Sequence, residues 1–168
     1  TKILLHENRS QALRDLSDFG LLRYMIPEVE ALKTVPQPFQ YHQEGDTFEH
    51  TCQVLEHLPK RKNPSKALAF AALLHDIGKS ETFSHKSGDR IRFNNHARIS
   101  EEKAIQIAQR LKFSKQDREE IAWLIHHHMM VGNIPDMTFA HQRKLFAHPY
   151  FDQLMWLHRA DEMGSIPV

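Results

Sequence analysis

A single cysteine, Cys52, stands in this 168-residue chain. Without a second thiol no internal disulfide can close, and a zinc cage built from cysteines is excluded. No disulfide-linked partner is expected, and a reducing cytoplasmic setting fits best. Long hydrophobic runs are missing too. No window approaches the roughly 18 apolar residues of a membrane span. The best short run, Ala67 to Leu74, stops at His75 and Asp76. No secretory signal pattern opens the chain, and no membrane partner is expected. Net charge is nearly absent: 22 Lys+Arg against 21 Asp+Glu give +1. That excludes a strongly basic nucleic-acid coat or an acidic disordered tail as the organising feature. Glycine (6) and proline (8) are sparse, and no repeat or low-complexity tract interrupts the helical patterns. The first residue is Thr1 and the last follows soon after Asp161, as in a processed protein or a piece of a longer one.

One residue type is abundant. Thirteen histidines are spread through the chain. Histidine is the commonest metal ligand and the usual proton carrier near neutral pH, so the surplus points toward metal chemistry.

The patterns predict one globular all-α unit, with residues 1–38 as an N-terminal helical segment packed on a body at 39–168. Gln11 to Met25 has helical spacing broken at Gly20, and Pro27 opens a short segment reaching Leu32. Asp46 and Glu49 form a capping signature for a helix from Thr47 to Leu58. Asn63-Pro64 signals the start of an Ala/Leu-rich helix ending at His75 and stopped near Gly78. Lys86 to Asp89 reads as the turn of a small β-hairpin or irregular insertion near residues 82–94. Helices are expected from His96 to Lys112, from Ser114 to Met130 with Ser114 and Asp117 as the cap, from Asp136 to His148, and from Tyr150 to Met163. Phe48, Phe70, Trp123 and Trp156 are read as core, because aromatics at helical spacing usually are.

Chemistry concentrates at Leu73-Leu74-His75-Asp76-Ile77-Gly78-Lys79. Adjacent ligands on a regular helix point about 100° apart. They reach one metal only where the helix unwinds, which Gly78 would allow. The Asp76 carboxylate can bridge two ions, and Lys79 can meet a phosphate. His50 lies near an apolar stripe one helix earlier, and His96 opens a helix downstream. In His126-His127-His128 the spacing of Ile121, Leu124 and Ile125 puts His128 on the core side. His127 is the alternative there, and His126 reads as solvated. Asp161 shares a face with Leu154, Leu157 and His158, costly for a carboxylate unless it is paired or metal-bound. The candidate ligand set is therefore His50, His75, Asp76, His96, His128 and Asp161. Its mix of imidazole and carboxylate suits one or two divalent ions of manganese, iron, cobalt, nickel or zinc, with no preference among them. His50, His75, Asp76 and Asp161 would hold one ion, and Asp76, His96 and His128 a second.

With His50, His75-Asp76 and Asp161 in place, the chain resembles the HD-domain superfamily of metal-dependent phosphohydrolases. His96 and His128 fit the extra histidines of its two-metal members. Phe39 to Thr51, Ala71 to Lys79, Arg90 to Phe93, Leu111 to Ser114 and Leu157 to Asp161 look like the HD domain of bacterial tRNA nucleotidyltransferase/poly(A) polymerase proteins. The likeness runs over about residues 10–165. It implies an all-α HD bundle and hydrolysis of a phosphate ester, on a nucleotide or on a terminal or cyclic phosphate of RNA. Asp76 and Lys79 would be catalytic, and Lys79, Arg98 and His127 would bind substrate. The partner would be a small phosphorylated molecule or an RNA 3′ end. Nucleotidyl transfer is not implied, because that family's catalytic head carries a Gly-Gly motif absent here. Two alternatives share the scaffold: an RNA-positioning domain, with Arg90, Arg92 and Arg98 as a local basic patch, and a diiron oxygenase. Ser100-Glu101 stands where many relatives place Gly-Ala.

Overall fold

A helix with no polar face runs through the centre of the molecule. Every residue from 67 to 74 is buried, so this segment must be covered on all sides. The computed structural model describes residues 2–37, 45–60, 64–85 and 91–165. Short helices α1 (Lys2–Leu5), α2 (Arg9–Asp18), α3 (Leu22–Met25) and α4 (Pro27–Glu30) lead into a 3-10 turn, Ala31–Thr34. Then come α5 (Thr47–His57), the central α6 (Lys66–Leu74), one-turn α7 (Lys79–Thr82) and strands β1 (Phe83–Ser84) and β2 (Arg92–Phe93). The chain closes with α8 (His96–Arg110), α9 (Lys115–His127), a 3-10 stretch His128–Asp136, α10 (Phe139–Phe146) and α11 (Phe151–Gly164). Helices α1, α5, α8, α9 and α11 all pack on α6. The strands pair antiparallel with Phe83 opposite Phe93. This is the expected all-α architecture with a small hairpin. None of the described helices is long and apolar enough to cross a membrane.

Capping explains most boundaries. Asp46 accepts from the Glu49 N–H at 2.9 Å and starts α5. Ser114 accepts from the Asp117 N–H at 3.1 Å and starts α9. Two helices start later than the sequence predicts. Ser65, not Asn63-Pro64, caps α6 by accepting from the Leu68 N–H at 3.0 Å. Thr138 caps α10, because the preceding stretch, with Pro135 inside it, winds as a 3-10 helix. The expected turn at Lys86 to Asp89, Arg90, Asn63 and the segment Phe39 to Glu44 lie outside the described residues.

The aromatic expectation is half corrected. Phe48 and Phe70 are buried, whereas Trp156 is 42% exposed. Leu154 and Leu157 take the inward positions of α11. Trp156 falls between them on the outer side, with the Arg159 guanidinium 5.6 Å from its ring centroid. Trp123 is only half-buried.

The N-terminal helices are tied to the body by polar groups that periodicity does not flag. Arg9 is fully buried. Its guanidinium donates to the carbonyls of Leu4 at 3.0 Å and Leu55 at 3.3 Å, and sits 3.5 Å from those of Leu58 and Pro59. Ser10 donates to the Cys52 carbonyl at 2.8 Å. At the other end, a Cβ on Gly164 would lie 3.0 Å from the Val54 backbone. That residue lets α11 close on α5.

Two outcomes follow. Arg9→Met keeps the bulk but strands several buried carbonyls, and should cost about 3 kcal/mol. Urea unfolding should show a lower midpoint at unchanged slope. Burial pushes the Cys52 thiol up to about 12. At pH 9 iodoacetamide should therefore label native protein at least ~100-fold more slowly than unfolded protein, whose thiol titrates near its ordinary value. Comparable rates would mean that α5 opens freely.

Candidate metal centre

Five elements bring the six sequence-predicted ligands toward one place. His50 comes from α5, and His75 and Asp76 from the turn after α6. His96 is the first residue of α8, His128 follows the last residue of α9, and Asp161 lies on α11. His50, His75, Asp76 and His128 are buried, each no more than 2% exposed. The Asp161 side chain keeps 20% exposure. The rings of His50 and His75 have centroids 5.6 Å apart, those of His75 and His128 5.3 Å, and those of His128 and His96 5.4 Å.

Asp76 sits among them with its oxygens divided. Oδ2 is 3.3 Å from His75 Nε2 and 3.7 Å from His50 Nε2. Oδ1 is 3.4 Å from His96 Nε2. Two sets of donor atoms could each surround an ion, with all atoms of a set within 4.8 Å of one another: His50, His75 and Asp76, and Asp76, His96 and His128. Asp161 belongs to neither set, but its Oδ1 accepts from His50 Nε2 at 2.9 Å and lies 3.6 Å from His75 Nε2.

Backbone carbonyls fix three of the rings. His75 Nδ1 lies 2.9 Å from the Ala72 carbonyl, His96 Nδ1 2.9 Å from that of Phe93, and His128 Nδ1 2.6 Å from that of Ile125. A carbonyl only accepts, so each Nδ1 carries the proton and donates it. Nε2 is then the atom turned inward. Those Nε2 atoms of His75, His96 and His128 are buried without a hydrogen bond. Buried polar atoms are normally paired, so three such orphans around one carboxylate fit a cation ligand set.

Charge supports this. Burial works against ionising Asp76, but His75, Lys79 and His96 outweigh it and hold the acid well below the usual carboxylate range. Burial likewise opposes ionising Asp161, and the His50 hydrogen bond together with the nearby His75 imidazole overcomes it. For His75 burial alone would lower the pKa, yet Asp76 and Asp161 carry it up to about 10. The pull of two carboxylates that draws a proton onto this nitrogen would equally draw a metal ion. Burial, and then the charge on His75, press His128 down to about 4, which keeps that ring neutral and able to ligate.

The remaining predicted residues are placed differently. Lys79 is buried; its Nζ is 2.7 Å from Asp76 Oδ2 and donates to Gln37 Oε1 at 2.7 Å. Arg98 is exposed and pairs with Glu102. His127 stacks on Trp123 at 4.2 Å and donates to its carbonyl, while His148 stacks at 3.9 Å. His126 pairs with Glu101 at 2.7 Å. None of the contacts of Arg98, His126 or His127 reaches Asp76.

Gly78 is where sequence reasoning found the right residue for the wrong cause. Its φ of −72° and ψ of −15° suit any residue, so unwinding does not require it. Space does. A Cβ there would lie 2.4 Å from the His96 carbonyl oxygen and 2.8 Å from the Ser100 nitrogen. The Gly78 N–H donates to Ser100 Oγ at 2.9 Å. Ser100 thus pins the start of α8, with His96 on it, against the His75-Asp76 turn. Gln37 and Ser100 are site residues that the sequence reading missed. Ser100 had a signal in the resemblance, which expects Gly-Ala where Ser100-Glu101 stands, and Gln37 had none.

The family profile for the HD domain matches residues 47–163. The multifunctional CCA protein of Azoarcus sp. (strain BH72) is 37% identical over 113 residues, 65% of this chain and 26% of its own length. That of Psychromonas ingrahamii is 35% identical over 121 residues, 69% of this chain and 27% of its own. That of Herminiimonas arsenicoxydans is 32% identical over 137 residues, 82% of this chain and 32% of its own. The chain therefore spans only about a quarter to a third of these relatives.

Gly78→Ala should force α8 off the turn. Overpacking of this kind costs about 1–3 kcal/mol, so the melting temperature should drop by roughly 2–10 °C. A pocket that absorbs the methyl without loss of stability would show that the close approach is not needed.

Proposed function

The chain belongs to the HD-domain family, and from that premise we propose that it is a metal-dependent phosphohydrolase acting on a nucleotide or on a terminal or cyclic phosphate of RNA. The observation that carries the reading is the trio of buried, unpaired Nε2 atoms around a carboxylate whose oxygens face two ways. In this reading His50, His75, Asp76 and Asp161 hold one ion, and Asp76, His96 and His128 hold the other. Divalent ions bound there supply Lewis-acid polarisation of a phosphoryl oxygen and lower the pKa of water. The mixed donors suit manganese, iron, cobalt, nickel or zinc.

The chain's own part is orientation and charge. The carbonyls of Ala72, Phe93 and Ile125 fix which imidazole nitrogen faces inward. Lys79 faces Asp76, so its first task is to hold that carboxylate rather than to meet a substrate phosphate. Arg98, exposed on the first turn of α8, would have to leave its partner Glu102 to meet a substrate phosphate. His127 remains a weaker substrate contact, since Trp123 holds it on both ring and Nδ1. The multifunctional CCA protein relatives support an RNA 3′ end as the substrate class.

Protein stripped with a chelator should lose phosphate release from generic phosphomonoesters or opening of 2′,3′-cyclic nucleotides, and regain it with Mn²⁺, Co²⁺ or Ni²⁺. Asp76→Asn should lower turnover at least ~100-fold, as losing a shared ligand does. Hydrolysis indifferent to chelation, or no metal bound by elemental analysis after Mn²⁺ loading, would sink the proposal. RNA binding without turnover, unchanged in Asp76→Asn, would favour the positioning role instead.

A further inference from the structure

Among the described residues four buried side-chain atoms have no hydrogen-bond partner. Three are the Nε2 atoms of His75, His96 and His128, and the fourth is Gln37 Nε2. Gln37 is 6% exposed and lies before the region matched by the HD-domain profile. Its presence beside the centre is set by backbone pairing. Pro36 bridges to Asp46, and the Val35 carbonyl accepts from both the Thr47 N–H and the Thr47 hydroxyl at 3.0 Å. This docks the segment at the N-terminus of α5, the helix that carries His50. The amide has only one orientation open to it. An ammonium donates and never accepts, so the oxygen of Gln37 must face Lys79 and the NH₂ must face away. That NH₂ is left unsatisfied, a cost of about 1–3 kcal/mol. A buried unpaired group in a native structure calls for an explanation.

The task follows from what Lys79 touches. Its ammonium has three neighbours: Asp76 Oδ2 at 2.7 Å, Gln37 Oε1 at 2.7 Å, and the Phe93 ring centroid at 5.1 Å. Oδ2 is also the oxygen that faces His50 and His75. A cation held by those histidines and the ammonium of Lys79 therefore claim the same oxygen. A buried ammonium that yields its carboxylate needs another acceptor, or it stays and competes. We propose that Gln37 is a positioning residue: its amide oxygen receives Lys79 when a divalent cation takes Asp76 Oδ2, so that a buried lysine and a metal ion can share one carboxylate. This rests on the ligand set of the proposed function. It adds a residue, outside the matched domain, that tunes the His50 half of the centre through Lys79.

The test is a double-mutant cycle read by Mn²⁺ affinity, using calorimetry or the loss of free Mn²⁺ resonance, on Gln37→Met, Lys79→Met and the double variant. Each variant is first shown to melt cooperatively. Gln37→Met should weaken Mn²⁺ binding by about 10-fold, the low end for residues that support a ligand. In the Lys79→Met background the same change should have less than ~2-fold effect, because no ammonium is left to receive. Gln37→Glu, which keeps an acceptor at that distance, should bind Mn²⁺ at least as tightly as the parent chain. An equal loss in both backgrounds would mean that Gln37 merely supports the fold, and it would overturn the inference. So would full affinity in Gln37→Met, or no rescue by Gln37→Glu. In those outcomes the parent chain still binds Mn²⁺ and the hydrolase reading stands. Failure of the parent chain to bind Mn²⁺ removes both.

Discussion

Asp76 is a carboxylate in a place almost without water, 2% exposed. An isolated charge there would be neutralised by protonation. It stays ionised because Lys79 stands 2.7 Å from one oxygen and imidazole nitrogens stand 3.3 to 3.7 Å from both. The geometry of α5, α6, α7 and α8 can be read as a means of bringing those partners to this one group. The central helix α6 ends at Leu74, and the turn that follows it holds Asp76 in the interior. Gly78 admits α8 to within contact of the turn, and Ser100 fastens it there. The N-terminal segment supplies Gln37. Removing the negative charge would take away the one group that the Lys79 ammonium and the imidazoles of His50, His75 and His96 share.

The sequence made the candidate ligands legible where they occupy positions that local physics marks as unusual. His75 and Asp76 break an apolar run. His128 continues the spacing of Ile121, Leu124 and Ile125 into a place where a polar ring is costly. Asp161 shares the inward face of α11 with Leu154 and Leu157. A polar residue on an apolar stripe demands a partner, and the demand is visible before the partner is. The helix caps Asp46 and Ser114 were readable for the same reason, since the cap and its target lie three residues apart.

What was not legible depended on distant chain. Arg9 is not flagged by periodicity, yet it is buried among carbonyls that include three 46 to 50 positions away. Gln37, between two prolines, reads as linker, and its contact with Lys79 spans 42 positions. Gly78 reads as the place where the helix unwinds, but its cause lies in α8, whose approach no local pattern encodes. Trp156 reads as core because aromatics at helical spacing usually are, although its neighbours Leu154 and Leu157 already fill the inward positions. Local spacing thus found groups that need partners, and could not find groups whose partners are brought by topology.

The division of the Asp76 oxygens has a further consequence for the two proposed ion positions, which are unequal in charge. The half at Oδ2 has Asp161 in addition, together with His50 and His75, and it must also accommodate Lys79. The half at Oδ1 has His96 and His128, two imidazoles with no second carboxylate among the described residues. A cation gains more from two carboxylates than from one, so the Oδ2 half would be stronger were Lys79 absent. The ammonium takes back part of that advantage, since like charges on one oxygen repel. Gln37 governs how far it does so. Whether the centre fills one position before the other is then decided by the balance of Asp161 against Lys79, one side chain from α11 and one from α7. Both act through the same buried oxygen.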